Sequence, residues 1–262
     1  MIFLNEQLLL GWVHSFLWPF LRISAMFMAA PIFGARSVPV RIRVSLALLI
    51  SLVIAPLVRP AEDIDIVSMQ GLIVAVNQIL IGVSMGFLMQ LMFTSLVIMG
   101  QSMAMSMGLG FASAIDPQNG VNVPVVSQMF MIIGTLLFLS VDGHLMMIAS
   151  LVSSFELYPI STQGILDSTF YNLVNWAGYV FLMALVMALP LMVTVLLVNL
   201  VFGVMTRAAP QLNIFAVGFP ITIIVGFIMM LVSMRVFEVQ ALQLFEGGAE
   251  MLFQLFGGSN VI

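Results

Sequence analysis

The sequence predicts an all-α, polytopic membrane protein made of long helical segments, and three observations carry that prediction. Hydrophobic residues make up 62% of the chain and charged residues only 7%, whereas a soluble domain carries roughly 25% charged residues. Charge is absent from residues 66–115, 117–141, 168–206 and 208–234, and a spanning helix needs about 20 apolar residues. The alternating segments of about 10 residues that mark a transmembrane β-barrel are missing.

The elements follow in order. Residues 8–32 form an apolar helix candidate interrupted by Pro19 and Arg22. Residues 34–43 read as a turn-rich connector holding Pro39, Arg36, Arg41 and Arg43. The apolar stretch 44–58 is short, about 22 Å as a helix. Glu62, Asp63 and Asp65 make an acidic loop. Residues 66–107 are the long helical region, about 63 Å if continuous. Glycine, Asp-Pro and Asn-Gly signals make 108–124 a loop. Residues 125–141 are apolar, break at Asp142-Gly143-His144 and resume to 155. Residues 157–169 are polar around Pro159; 170–205 are apolar with Pro190 inside. A polar turn at 207–213 leads into 214–236, the last long apolar segment. Residues 240–262 read as a mixed tail and a candidate interfacial helix, ending in a glycine-rich stretch.

The arginine-rich connector belongs on the cytoplasmic side. Alternation from there gives six crossings with both termini outside. The N-terminus lacks the basic region of a secretory signal and reads as the start of a retained helix. The segment lengths fit a simple bundle poorly. One stretch is shorter than the roughly 30 Å hydrocarbon core and another is twice as long, and tilt does not absorb that excess. Proline and glycine breaks would turn such segments into bent hairpins, with part of the chain buried in other subunits rather than in lipid.

Several chemistries are excluded. The chain has no cysteine, hence no thiol nucleophile or thiolate metal site. It has no lysine, all seven basic residues being arginine, which removes phosphate-loop lysines and Schiff bases. A net charge of −4 with scattered arginines argues against a nucleic-acid footprint. His14 and His144 lie far apart without a His-Glu-x-x-His pattern, so no zinc site is expected. On a helix Asp142 and His144 point about 200° apart; Gly143 reads as a helix break with Asp142 capping the next helix. No catalytic residue, cofactor or metal is expected, and the chain does not read as an enzyme.

Three features remain. Gln90, Thr94 and Gln101 fall within roughly 40° of one another on the long helix, and Gly82-x-x-x-Gly86 is a small-residue packing motif. An ordinary helix–helix interface accounts for this stripe; a water-facing conduit lining is the sharper alternative. Met99, Met103 and Met107 recur every four residues, with Met105 nearby, and run into Gly108-Leu109-Gly110-Phe111-Ala112. Flexible methionines beside a glycine-rich loop suit a gate around cargo of varied shape, although 23 methionines make a stripe somewhere expected. Asp116-Pro117 is the turn of that loop. In the third feature, 206–215, Arg207 suits the negative end of the preceding helix and Pro210 starts a new element. Gln211 and Asn213 can bond across to a neighbouring subunit; a plain two-helix turn is the simpler reading.

The stretch Thr206-Arg207-Ala-Ala-Pro210-Gln211-Leu-Asn213-Ile-Phe215, continuing to Gly218-Phe-Pro220, resembles the signature of the FliR family of the flagellar type III protein-export gate. Gly110-Phe111-Ala112 with Asp116-Pro117 and Asn122-x-Pro124, Gly143-His144-Leu145, and the Arg22 region with Ala30-Pro31-x-Phe33 are similar to further family segments. The resemblance covers nearly the whole chain. It implies assembly with FliP-like and FliQ-like membrane subunits, association with FlhB-like and FlhA-like export components, and passage of unfolded exported proteins. It implies a bacterial inner-membrane location in the flagellar basal body, and a fold like a fusion of FliP-like and FliQ-like parts. A single domain over 1–262 is expected, with 1–125 and 126–262 as approximate halves. The central loop, about 107–119, would be the plug of the closed conduit, and 206–215 would lie near its cytoplasmic entrance. The virulence injectisome subunit is the nearest alternative, and a small-molecule transporter with broken helices a more distant one.

Overall fold

A computed structural model describes residues 6–34, 38–58, 64–109, 124–208 and 214–257; for 6–14 and 214–216 it describes the backbone alone. The described residues form seven α-helices: α1 Glu6–Ala29, α2 Val40–Ile54, α3 Met69–Ser106, α4 Val125–Ser140, α5 Gly143–Leu157, α6 Asp167–Ala208 and α7 Ile214–Leu252. A π-helical turn, Phe253–Gly257, follows α7.

By length and composition, three helices among the described residues can cross a membrane, α3, α6 and α7 with its terminal turn; α4 and α5, bent by 64° at their junction, add a fourth if counted as one span. Among the described residues, then, fewer spans are identified than the six crossings expected. The 15-residue α2 falls short of the roughly 20 residues a span needs. The long segments run as continuous helices, and neither Pro190 nor Pro220 divides its helix.

Local chemistry sets the helix ends. Ser68 precedes α3 and its Oγ accepts the Gly71 N–H at 3.0 Å, an N-cap bond to the third helical residue. At the other end Gly108 takes a left-handed conformation with φ 79°. The Leu109 N–H bonds Ala104 O at 2.9 Å and the Gly108 N–H bonds Met105 O at 3.1 Å. These paired bonds make a Schellman motif, which satisfies orphan carbonyls and favours glycine at its left-handed position. α2 begins directly after Pro39, so Arg41 and Arg43 lie in its first turn rather than in a connector.

The helix break expected at Asp142-Gly143 is present, and one expectation about it, the side-chain cap of Asp142, is corrected. The left-handed residue is Asp142, with φ 56°, while Gly143 is the first residue of α5. Aspartate is among the few residue types that visit this region. Its side chain makes no capping bond; an N-cap uses β-region dihedrals to return its oxygen to the helix. The backbone does the turning, with Asp142 O accepting Leu145 N–H at 2.8 Å and Met146 N–H at 3.0 Å.

The chain divides into two compact units of interleaved segments. The first contains Met1–Leu91, Asp142–Trp176 and Glu246–Ile262. In it α1 lies against α3 at Gly82 and Gly86. A Cβ at Gly86 would come within 2.6 Å of Ala29 Cβ and 2.7 Å of Met26 O, and one at Gly82 would overlap Arg22 O. Hydrocarbon supplies no hydrophobic drive between helices, so close backbone approach at small residues supplies the packing. Trp18, Met26, Phe27, Ile81, Met85 and Leu88 are buried here. The π-helical turn packs on α5, with Phe256 fully buried and its ring 6.1 Å from that of Tyr158.

The second unit contains Met92–Val141 and Ala177–Phe245. Phe93, Phe138 and Phe245 form a ring cluster with centroids 5.3–5.7 Å apart, and Phe130 meets Phe237 at 4.9 Å. Its buried face on α7 runs Thr222, Gly226, Met230, Ser233, Phe237, Ala241 and Leu244, a helical spacing of three and four. Of the expected interfacial tail, residues 240–257 continue α7 and its terminal turn, with Leu252, Leu255 and Phe256 buried as well, and residues 258–262 lie outside the described residues.

Candidate functional site

The C-terminal half of α3 carries the stripe that leads into the central loop, and glycine notches in the second unit grip it. Gly100 receives the backbone of Ser127, whose N would lie 2.9 Å from an added Cβ. Gly134 of α4 receives the end of Leu96, which an added Cβ would overlap. Gly226 of α7 receives Met107, whose Cγ, Sδ and Cε would lie 2.6–2.7 Å from an added Cβ. The ring of Phe219 covers Gly108. These contacts determine where the chain leaves α3.

The methionines divide by face. Met99, Met103 and Met107 are fully buried, whereas Met105 is 70% exposed. The regular stripe is therefore internal packing, and Met105 alone of these four presents its thioether outward. Gln90, Thr94 and Gln101 are half-buried. Leu109 closes the Schellman motif. Gly110, Phe111, Ala112, Asp116 and Pro117 lie outside the described residues.

Arg207 sits exposed in the last turn of α6, where a cation meets the negative end of the helix. Pro210, Gln211 and Asn213 lie outside the described residues, as does the side chain of Phe215 in the first turn of α7.

A polar centre in the first unit went unread in the sequence, where Arg22 figures as an interruption. Arg22 is completely buried, the one charged residue so placed among the described residues. Its Nε donates to Gln78 Oε1 at 2.9 Å. One terminal nitrogen donates to Ser154 O at 2.9 Å and Ser154 Oγ at 3.0 Å; the other donates to Tyr158 O at 2.8 Å. The guanidinium also lies 4.0 Å over the Phe155 ring. Ser154 lies in the last turn of α5 and Tyr158 directly follows it; Ser154 O also takes the Tyr158 N–H at 3.0 Å, while Tyr158 O lies beyond the last helical bond, at the negative pole of the helix. Arg22 caps that helix from outside while tying it to α1 and α3. The available signal was a lone charge in an apolar helix, which calls for a named partner. Nearby, Tyr158 Oη and Thr169 Oγ1 are 2.8 Å apart, and Asn77 Nδ2 donates to Thr162 O at 3.2 Å.

Among the described residues no group of histidine, aspartate and glutamate is placed to hold a metal. The outer surface is strongly apolar. The most apolar window of α3 is 56% buried, but those of α6 and α7 are only 33% and 28% buried. Tyr171, Leu196 and Leu200 on α6 and Leu231 and Val232 on α7 are each at least 64% exposed.

The family described as "Bacterial export proteins, family 1" matches residues 13–248. The chain is 42% identical over 226 residues to "Flagellar biosynthetic protein FliR" of Pectobacterium carotovorum subsp. carotovorum, covering 86% of each chain. It is 39% identical over 230 residues to the protein of that name from Escherichia coli K12, covering 88% of each. It is 31% identical over 225 residues to the Bacillus subtilis protein of that name, covering 85% of this chain and 86% of the other. Similarity of this extent, joined to an all-helical membrane architecture, means that the chain belongs to the FliR family of bacterial export proteins.

Proposed function

We propose that this chain is a structural and gating subunit of the flagellar type III export gate. With FliP-like and FliQ-like membrane subunits it forms the conduit through which unfolded flagellar proteins pass. One observation carries the reading beyond family membership. α6 and α7, of 42 and 39 residues, are about 63 Å and 58 Å long, with apolar residues exposed along both. A hydrocarbon core of about 30 Å covers half of that length; sister subunits cover the rest. The names of the relatives favour the flagellum over the injectisome.

The whole chain, 1–262, acts as one export-gate domain in the inner membrane at the basal body, with FlhA-like and FlhB-like components alongside. The loop over 107–119 closes the conduit as an apolar plug. Met105 is the methionine available to meet cargo, and the turn around Arg207, Pro210, Gln211, Asn213 and Phe215 lies at the cytoplasmic entrance. The subunit gates passively and performs no catalysis; partners or the proton-motive force supply energy.

Two measurements test this. Purification from the native membrane should yield a complex with FliP-like and FliQ-like chains; a stable monomer sinks the assembly reading. Deleting residues 108–112 should make the assembled complex leaky to small ions, and unchanged conductance sinks the plug reading.

A further inference from the structure

We propose that the C-terminal part of α6 carries, at Asn199, Gly203 and Arg207, the face that docks a transmembrane helix of a sister subunit. The inference rests on the assembly reading proposed above; it names the surface used and the chemistry of the helix that fits it.

Within its own chain α6 buries Val180, Ala184, Met187, Ala188, Leu191 and Val195. One turn after Val195 comes Asn199, and there the cover stops: no residue over 196–208 is buried. That stretch is about 20 Å of helix. Asn199, Gly203 and Arg207 follow one another around it in steps of about 40°, and Leu196 falls within about 20° of Gly203. All four are exposed.

Nothing inside the chain accounts for this face. Glycine and asparagine are weak helix formers. In the second unit Gly100, Gly134 and Gly226 each receive a neighbour's atoms, whereas Gly203 has nothing within 4 Å of an added Cβ. The Asn199 amide makes no hydrogen bond among the described residues. The Thr206 hydroxyl does, returning to Gly203 O at 2.7 Å, so Asn199 is the polar group of this face that needs a partner.

These residues decide between lipid, water and protein as the cover. Lipid tails offer the amide no partner, and a polar side chain in an apolar span faces protein or water. Water is disfavoured because Leu196, Leu197, Leu200, Val201 and Val204 surround the amide, each 55–65% exposed, and apolar surface of that extent gains by leaving water. A protein helix meets both demands. Its backbone comes close at the bare Gly203, a side-chain amide or hydroxyl pairs with Asn199, and apolar side chains cover Leu196 and Leu200. Arg207 adds charge complementarity and selects a carboxylate at that end of the partner helix. The occupant is therefore an apolar helix with a small residue at the crossing, an amide or hydroxyl one turn to one side and an acid one turn to the other.

The test uses the full-length chain in native membranes. A photoreactive benzoylphenylalanine in place of Leu196 should give one discrete adduct with a FliP-like or FliQ-like chain. In place of Leu197, about 160° from Asn199 around the helix, it should give severalfold less. Gly203→Leu should lower co-purification of the FliP-like and FliQ-like chains roughly tenfold, the scale of an overpacked contact. Asn199→Leu should lower it severalfold, and Asn199→Gln should restore part of the loss. Val201→Leu, on the far side of the helix, is the control and should change nothing. The melting midpoint of the solubilised chain alone should not fall in Gly203→Leu, which separates lost docking from lost folding; a fall contradicts the open notch. Adducts from position 196 with lipid alone, or with a second copy of this chain, overturn the docking face. Undiminished co-purification of Gly203→Leu and Asn199→Leu overturns it as well. If the parent chain brings down neither sister chain, the assembly reading itself is what fails.

Discussion

Replacing Arg22 by methionine keeps much of the side-chain length and removes every donor. Tyr158 O and Gln78 Oε1 then lose their guanidinium hydrogen bonds inside a sealed core; Ser154 O keeps the Tyr158 N–H at 3.0 Å. Each buried acceptor left unpaired costs about 1–3 kcal/mol, so the two together cost about 2–6 kcal/mol. Loss of the contact over the Phe155 ring adds about 0.5–2 kcal/mol. Relief from burying a charge offsets part of this, but only a substitution that also removes the acceptors realises the full relief. Arg22→Lys retains a charge without the planar fork that reaches three residues at once, so its loss should be intermediate. Trp18 is fully buried one turn before Arg22, so tryptophan fluorescence of the detergent-solubilised protein during heating is a suitable assay. The expected order of midpoints is parent, Arg22→Lys, Arg22→Met. A double-mutant cycle with Gln78→Leu should give a coupling of about 0.5–3 kcal/mol. A methionine variant that melts with the parent, or a coupling of zero, would refute the reasoning.

Gly86→Ala puts a Cβ 2.7 Å from Met26 O, a backbone atom that does not yield cheaply; a loss of about 1–3 kcal/mol is expected from overpacking, read as a lowered melting midpoint. Gly178 and Gly203 on α6 have nothing within 4 Å, so alanine there should leave the isolated protein as stable or raise it by up to about 1 kcal/mol through helix propensity. A fall in the melting midpoint of either variant would contradict the open space around these glycines. Ser68→Ala removes the bond to Gly71 N–H and should cost about 1 kcal/mol, seen as faster amide exchange confined to the first turn of α3.

The sequence reveals most of the helices because hydrophobic runs without charge or punctuation are local signals. The long helix expected over 66–107 is observed as Met69–Ser106, and the break near 142 falls where glycine and aspartate interrupt the apolar run. Features that depend on distant partners were not legible. Arg22 reads as an interruption because its acceptors stand 56, 132 and 136 residues away. Gly82 and Gly86 advertise themselves by their spacing, but Gly100, Gly134 and Gly226 are single glycines whose importance lies in the side chains and backbone they receive. The end of α7 reads as a mixed tail because Gln240, Glu246 and Glu250 interrupt its apolar residues, while Ala241, Leu244, Phe245 and Leu252 keep a buried face at helical spacing. At the candidate site, the buried position of three methionines against one exposed follows from packing, which no count of methionines reveals.

The interleaving of the two units has a consequence for the order of events during synthesis. Trp176 completes the second segment of the first unit, and its last segment begins at Glu246. At about 5–20 residues per second, the ribosome needs roughly 4–14 s to bridge that gap. Arg22, Gln78, Ser154 and Tyr158 all emerge before it, so the guanidinium can find its acceptors early. Phe256, which covers Tyr158, arrives only at the end. A nascent chain therefore waits with its polar centre formed and its apolar lid missing, and a translation pause or truncation before Glu246 strands it in that half-sealed state.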